Sequence, residues 1–166
     1  SKLTDTNSPE TNLIQELIDK ETIFTLIRQT AAWLDNEELE LWLKTFSDDA
    51  TYEITTSSPE LGSDMSWWHS EQKDLEQIIR EIPTHVRDKA QRLHLISPIF
   101  AELNNNTGTV LTHFSIYRTE PDGRSSLYVI GKYFDEVIKT KGIWYYKSHK
   151  VILDTRILEP FTHLPL

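Results

Sequence analysis

The side chains best suited to chemistry in this sequence are histidines and tyrosines on predicted strands. His94, His113 and Tyr117 lie in long segments rich in β-branched and aromatic residues, and Tyr52 lies in a shorter one. In the segment 109–118, His113 and Tyr117 fall on one face of a strand. The opposite, more apolar face is predicted to join the core and carries Val110, Thr112, Phe114 and Ile116. If the first face lines a pocket, these imidazoles and phenols could act as general acids and bases. The alternative is a hydrogen-bonded histidine at an edge or a subunit contact.

Metal and nucleotide sites have little support in the sequence. The six histidines include no pair at the i, i+4 spacing of a metalloprotease helix, and no facial triad is evident. The chain has no cysteine, which excludes disulfides, thiolate ligands and an iron–sulfur cluster ligated by this chain. There is no Gly-rich phosphate loop and no G-x-S-x-G motif. Spacing leaves open only a metal site assembled from distant residues.

The densest group of carboxylates lies in the stretch 30–54, "TAAWLDNEELELWLKTFSDDATYEI". Asp35 and Glu38 are spaced as a capping box for a helix that follows. The other acids fall opposite the apolar positions of that helix or in the turn after it, as expected of a solvated face. We therefore interpret as scaffold the seven acids Asp35, Glu37, Glu38, Glu40, Asp48, Asp49 and Glu53.

Composition limits the class of partner. The net charge of −9, with no local run of Lys or Arg, disfavours nucleic acid and anionic membranes. No apolar run approaches the length of a membrane span, and the N-terminus has neither a signal-peptide nor a transit-peptide pattern. We expect a cytoplasmic protein.

The elements that would position these side chains follow from periodicity, and we expect one domain over 1–166. Ser8, Pro9 and Glu10 predict a helix start, and helices are predicted over 9–47 after a flexible 1–8. Leu39, Trp42, Leu43 and Phe46 form one face of the second helix. A short strand 50–56, a loop 57–69 and a helix 70–82 follow.

The remainder predicts a sheet. Turn compositions separate four strands over 92–158, which favours an antiparallel meander, and 159–166 is a C-terminal tail. Gly131 within the third of these strands predicts a bulge or bend. Helices followed by an antiparallel sheet indicate an α+β fold, with the helices packed on one face of a curved sheet.

Two apolar features fall outside these elements. Trp67 and Trp68 lie in the polar stretch "SSPELGSDMSWWHSEQ", and the tail is the apolar, turn-prone "ILEPFTHLPL". Each either covers the end of the core or anchors a partner chain. The candidate interface residues are Trp67, Trp68, Phe161, His163 and Leu164.

Four passages, in order, resemble the small (β) subunit of Rieske-type aromatic-ring-hydroxylating dioxygenases. They are the stretch 30–54, "SEQKDLEQIIREI", "QRLHLISPI" and the closing "SLYVIGKYFDEVIKTKGIWYYKSHKVILDTRIL". That family belongs to the cone-shaped α+β superfamily of nuclear transport factor two, also called cystatin-like, which includes scytalone dehydratase and ketosteroid isomerase. Thr30, Pro98 and "RDKAQ" stand where the family has Glu, Asn and Pro-Pro-Ser-Arg, and these departures bear on the partner more than on the fold.

The resemblance implies a mainly antiparallel, strongly curved sheet closed by helices into a cone, and a structural role without a catalytic residue or cofactor in this chain. The Rieske cluster and the mononuclear iron would lie in a large (α) partner subunit. The partners would be that subunit and copies of this chain, as a trimer or as three large and three small chains.

The competing hypothesis is a free-standing dehydratase or isomerase of the same fold, with an internal pocket. His94 and His113 would then be its acid–base groups, and Tyr52 or Tyr117 would polarise the substrate. A third possibility is a small-molecule-binding or oligomerisation module without chemistry. The fold alone does not separate these functions.

Overall fold

The computed structural model describes residues 8–58, 63–81, 89–155 and 165–166. Its helices are α1 (Pro9–Asp35), α2 (Leu39–Leu43) and α3 (Gln72–Glu81). The predicted start of α1 is confirmed, because the Ser8 hydroxyl accepts a hydrogen bond from the Thr11 backbone N–H at 3.1 Å. The short α2 buries Leu39, Trp42 and Leu43, as their spacing predicts.

Six strands form one sheet within this part of the chain: β1 (Phe46–Ser58), β2 (Ser63–Glu71), β3 (Gln91–Asn104), β4 (Thr107–Thr119), β5 (Ser125–Thr140) and β6 (Ile143–Leu153). Their order is β2-β1-β6-β5-β4-β3. Strands β3 to β6 form the expected antiparallel meander, and β1 runs parallel to β6. The α+β class with a mainly antiparallel sheet is therefore confirmed.

The predicted loop 57–69 is wrong over most of its length. Strand β1 continues to Ser58, and β2 pairs with it antiparallel, with Ile54 opposite Trp68. The stretch is polar and lacks the alternation of a half-buried strand, so local pattern gave no signal. Pairing with β1 decides its conformation, as is common for strands.

The first helix is buried over only part of its length. Leu13 and Leu17, near the N-terminus of α1, are each 59% exposed, and burial begins at Asp19. The Asp19 carboxylate accepts hydrogen bonds from Lys139 Nζ (3.1 Å) and Trp144 Nε1 (3.2 Å), which fixes α1 to β5 and β6. The N-terminal half of α1 therefore extends beyond the core. None of the described helices is both long and apolar enough to cross a membrane.

Gly131 serves close packing rather than a bulge. The register between β4 and β5 shifts at Ile116/Tyr117, while Gly131 stays in register with Phe114. A Cβ atom at Gly131 would lie 2.9 Å from Cε1 of Phe114 and would collide with the carbonyl oxygen of Ile152. The absence of a side chain lets the Phe114 ring lie against the β5 backbone.

Candidate functional site: the two faces of the sheet

The inner face of the sheet, toward the helices, carries a buried histidine that is tied to α1. Nδ1 of His94 on β3 lies 2.5 Å from Oδ1 of Asp35, the last residue of α1, and the His94 backbone N–H donates to Oδ2 at 2.8 Å. Both carboxylate oxygens are thus engaged, which places the ring proton on Nδ1. Asp35 is therefore not the predicted helix cap, since α2 begins after Glu38 without a side-chain cap.

A second histidine–aspartate pair lies deeper in the same face. Asp135 on β5 and His149 on β6 are directly opposite each other, and Nδ1 of His149 hydrogen-bonds to Oδ1 of Asp135. The His149 ring stacks on Tyr52 at 5.6 Å between centroids and lies 4.7 Å from the ring of Tyr133. Phe114 in turn stacks on Tyr133 at 4.1 Å. Aromatic rings therefore surround this pair.

Burial controls the protonation of these groups. It lowers the pKa of His94 below its ordinary value, against the opposing effect of Asp35, so the ring is neutral near pH 7. It raises the pKa of the Asp135 carboxyl, which His149 partly offsets. It also raises the pKa of Tyr52, whose phenol stays protonated. Burial therefore favours the uncharged form of each of these three side chains.

The last two residues of the sequence are bound to this interior. The Arg92 guanidinium donates to the carbonyl oxygen of Pro165 at 3.0 Å, and the backbone N–H of Leu166 donates to the Tyr52 hydroxyl at 3.0 Å. Leu166 is fully buried. The phenol proposed to polarise a substrate is therefore engaged with the chain itself.

The structure separates the four residues of the enzyme hypothesis. Tyr52 and His94 are buried on the inner face, whereas His113 and Tyr117 point to the outer face and are exposed. The predicted assignment of Val110, Thr112, Phe114 and Ile116 to the core is confirmed, and it is this alternation that turns His113 outward. The described part of the chain contains no group of three side chains able to hold a metal ion. The predicted acid–base set is not assembled.

The outer face carries an apolar surface over strands β3, β4 and β5. We call it the outer apolar face; it consists of Leu93, Leu95, Phe100, Tyr117, Leu127, Ile130 and Phe134, each 37–55% exposed. The strand register places Leu93, Tyr117 and Leu127 side by side in one row, and a polar row of Ser97, His113 and Lys132 separates the leucine rows from Phe100 and Phe134. Large apolar residues exposed in this number on one face are typical of a surface that contacts another molecule.

The predicted interface residues are placed differently. Trp67 and Trp68 lie on β2, at the opposite edge of the sheet from β3. Phe161, His163 and Leu164 lie outside the described residues. Their role at an interface stays a prediction.

Sequence reasoning missed the two pairs of histidine and aspartate and the outer apolar face. The pairs join residues 59 and 14 positions apart, so no local pattern could reveal them. The outer apolar face did leave a signal. In "QRLHLISPI", Leu93 and Leu95 alternate with His94 and Ile96, so both faces of the strand carry large apolar side chains. Such a strand is typically buried on both sides.

Comparison with known proteins agrees with this architecture. Residues 15–150 match the profile of the SnoaL-like domain family. The β subunit of 2-aminobenzenesulfonate 2,3-dioxygenase from an Alcaligenes species is 32% identical over 150 residues, covering 90% of this chain and all of the relative. The β subunit of the methanesulfonate monooxygenase hydroxylase from Methylosulfonomonas methylovora is 29% identical, covering 80% of this chain and 79% of the relative.

A solved structure has the same fold. It is assigned as the β subunit of an aromatic-ring-hydroxylating dioxygenase from Novosphingobium aromaticivorans and superposes with a TM-score of 0.76 at 20% identity, covering 86% of this chain and 93% of that one. The chain therefore belongs to the SnoaL-like domain family and, within it, to the β subunits of ring-hydroxylating dioxygenases.

Proposed function

We propose that this chain is the non-catalytic small subunit of an aromatic-ring-hydroxylating oxygenase and stabilises the large subunit that carries the chemistry. The full-length likeness to a dioxygenase β subunit is the observation that carries the proposal. The interior supports it, because its histidines are paired with aspartates and the acid–base set of the enzyme hypothesis is divided between two faces.

The cofactors belong to the partner in this proposal. The large subunit holds a Rieske cluster and a mononuclear iron, and this chain supplies no ligand to either. The absence of cysteine supports this division for the cluster, because thiolates are its usual ligands. The substrate is an aromatic compound bound by the large subunit, and the assembly forms in the cytoplasm.

The stoichiometry is also proposed. Three small chains associate with one another and with three large chains. Two described surfaces are available for these contacts: the outer apolar face, and the exposed N-terminal half of α1, with Leu13, Ile14, Leu17 and Ile18. Trp67, Trp68 and the tail residues Phe161, His163 and Leu164 add candidates for the same role.

Native purification tests the proposal directly. The untagged protein is purified from its own host, and its native mass, subunit ratio and visible spectrum are recorded. We expect it to co-elute in equal amounts with a larger, red-brown chain that contains iron and acid-labile sulfide. A colourless oligomer of this chain alone, at every step of the purification, would overturn the proposal.

The contribution of Trp67 and Trp68 on β2 to the stability of the assembly can be measured on the same complex. Trp67→Ala with Trp68→Ala is expected to loosen the assembly while the isolated chain keeps its circular dichroism spectrum. Ile143→Ala, at a 56% exposed apolar residue on β6, is the matched control. Unfolding of the isolated double variant would show that the two tryptophans belong to the core.

A further inference from the structure

We propose that the inner face holds a binding site for a proline–leucine segment between β1 and β3, and that Pro165 and Leu166 of the same chain fill this site as a displaceable strap. The strap holds the curved sheet closed at this point. The inference goes beyond the proposed function, because it concerns the closure of this chain's own sheet and not its assembly with other chains.

The strap joins two strands that a flat sheet would hold far apart. Following the register across the sheet from Tyr52 on β1 leads, strand by strand, to His149, Asp135, Val110 and Ala101. Arg92 lies nine positions before Ala101 on β3, so a flat sheet would separate it from Tyr52 by roughly 30 Å. Instead, Arg92 and Tyr52 contact consecutive residues, Pro165 and Leu166. The sheet is therefore curved so strongly that β1 and β3 approach each other at the strap.

The contacts of the strap match the features of a short peptide. Arg92 donates to the carbonyl oxygen of Pro165, and the Tyr52 hydroxyl accepts from the backbone N–H of Leu166, each at 3.0 Å. Because proline has no N–H, the buried Pro165 leaves no backbone donor without a partner. Leu166 is fully buried within the hydrophobic core. The matching ligand is thus a segment with a proline carbonyl, an amide N–H one residue later and a branched aliphatic side chain.

Two buried acceptors beside the strap oppose its closure. Nε2 of His94 and Oδ2 of Asp135 have no hydrogen-bond partner among the described groups. His94 is two positions from Arg92 on the same side of β3, and Asp135 is paired with His149, whose ring stacks on Tyr52. Buried acceptors of this kind are costly while water is excluded. Release of the strap admits water to them, which offsets part of the apolar burial that is lost and makes the strap displaceable.

A full-length variant that cannot bury the strap tests the inference. Leu166→Asp places a carboxylate in a fully buried position, so the strap should leave its site. The probe is the peptide acetyl-Pro-Leu, added to the isotope-labelled chain and followed by NMR through the amide chemical shifts of Tyr52 and His94. We expect saturable binding with a dissociation constant on the order of 0.1 mM, as is usual for a ligand of this size. The wild-type chain should not bind the peptide, because its own strap fills the site.

Matched controls separate recognition of the segment from general exposure of the core. Acetyl-Pro-Ala lacks most of the leucine side chain and should bind Leu166→Asp roughly tenfold or more weakly. Ile143→Asp, at an exposed apolar residue on β6, makes the same kind of change away from the site and should bind neither peptide. A folded Leu166→Asp chain that binds neither peptide, or binds both equally, would overturn the inference. Binding of acetyl-Pro-Leu to the wild type with the same affinity would also contradict it.

Hydrogen exchange provides a second readout, which decides the question even if Leu166→Asp does not fold. Tyr52→Phe removes only the hydroxyl that accepts from the Leu166 N–H, and it should speed the exchange of that amide roughly tenfold or more. Tyr117→Phe removes a hydroxyl from the exposed outer face and should leave the exchange unchanged. If the Leu166 amide exchanges equally slowly in Tyr52→Phe, the strap is not held as proposed and the inference fails. None of these results bears on whether the chain co-purifies with a large subunit, so either proposal can stand without the other.

Discussion

Each face of the sheet carries side chains that are uncommon in its surroundings. Within the hydrophobic core, the inner face buries two histidines and the Asp135 carboxylate, while the outer face exposes seven large apolar residues. Buried charged groups are costly unless they are paired, and exposed apolar surface of this extent is unusual in a monomer. The buried polar groups of the inner face are therefore stabilised by partners within the same chain. The exposed apolar residues of the outer face are expected to contact another molecule.

The two faces also differ in which of their groups remain available to another molecule. In the interior, the paired groups are committed to one another and to the end of the chain, through Tyr52 and Arg92. On the outer side, Lys132 and Glu136 take part in no ion pair among the described side chains, and large apolar residues of β3 to β5 are exposed. Function in this chain is therefore expected at the surface, and the interior serves stability.

The largest effect should follow from breaking the deeper pair. Asp135→Ala leaves His149 buried without its carboxylate, and we expect a loss of about 3–5 kcal/mol in the free energy of unfolding. Urea unfolding monitored by circular dichroism measures it. Asp122→Ala, at an exposed turn, is the control and should cost little.

A second variant of the Asp135–His149 pair tests why Asp135→Ala should be destabilising. Replacing both partners, as Asp135→Leu with His149→Phe, should recover most of the lost stability because neither member of the pair is then left buried without the other. A loss below about 1 kcal/mol for Asp135→Ala would mean that the interaction between Asp135 and His149 contributes little to the stability of the fold.

A smaller loss of stability is expected when a side chain is added at Gly131, where the Phe114 ring lies against the β5 backbone. Gly131→Ala places a methyl group against the Phe114 ring and the Ile152 carbonyl, so we expect a loss of about 1–3 kcal/mol from overpacking. Ser126→Ala, exposed on the same strand, is the matched control. Near-ultraviolet circular dichroism should report displaced aromatic rings in the glycine variant alone, and identical spectra would contradict the close approach.

Acid should weaken the protein through His94. Burial holds the pKa of folded His94 below its ordinary value of 6.5, so the unfolded chain takes up the proton first as the pH falls. The contribution of this group is fully present above pH 6.5. Below it, the free energy of unfolding should fall by up to about 1.4 kcal/mol per pH unit until the folded pKa is reached.

The two faces supply the comparison for this test. Urea unfolding at pH 7.5, 6.5 and 5.5 should show a shallower slope in His94→Gln than in the wild type. Ser97→Ala, at an exposed position on the outer side of the same strand, should keep the wild-type slope. A slope that stays unchanged in His94→Gln would contradict the assignment.

Sequence pattern predicted the parts of the fold that local chemistry determines. The cap at Ser8, the buried side of α2 and the alternation of β4 each depend on residues within one turn or one strand. The order of elements and the family resemblance gave the α+β class. Strand β2 was missed because its pairing with β1, and not its own composition, fixes its conformation.

The site was less predictable for a related reason. Asp35 fits a capping box three residues before Glu38, and sequence cannot show that His94, 59 positions away, takes both carboxylate oxygens instead. His113 and Tyr117 were correctly placed on one face, but alternation does not say which face is enclosed. The pairing of β3, β4 and β5 settles that question by turning this face outward.

The smallest effect on a single chain should come from the outer apolar face, although it bears most on function. Leu95→Ser removes a half-exposed side chain, so the free energy of unfolding of the dissociated chain should change by only about 0.5 kcal/mol. The melting temperature of the wild type should instead rise with protein concentration, because association stabilises only the folded chain. In Leu95→Ser that dependence should be lost, and in Ile143→Ser, at an exposed residue on β6 outside both candidate contact surfaces, it should remain. If Leu95→Ser lowers the melting temperature equally at all concentrations, the side chain supports the fold of one chain, and the contrast between the two faces is weaker than their exposure indicates.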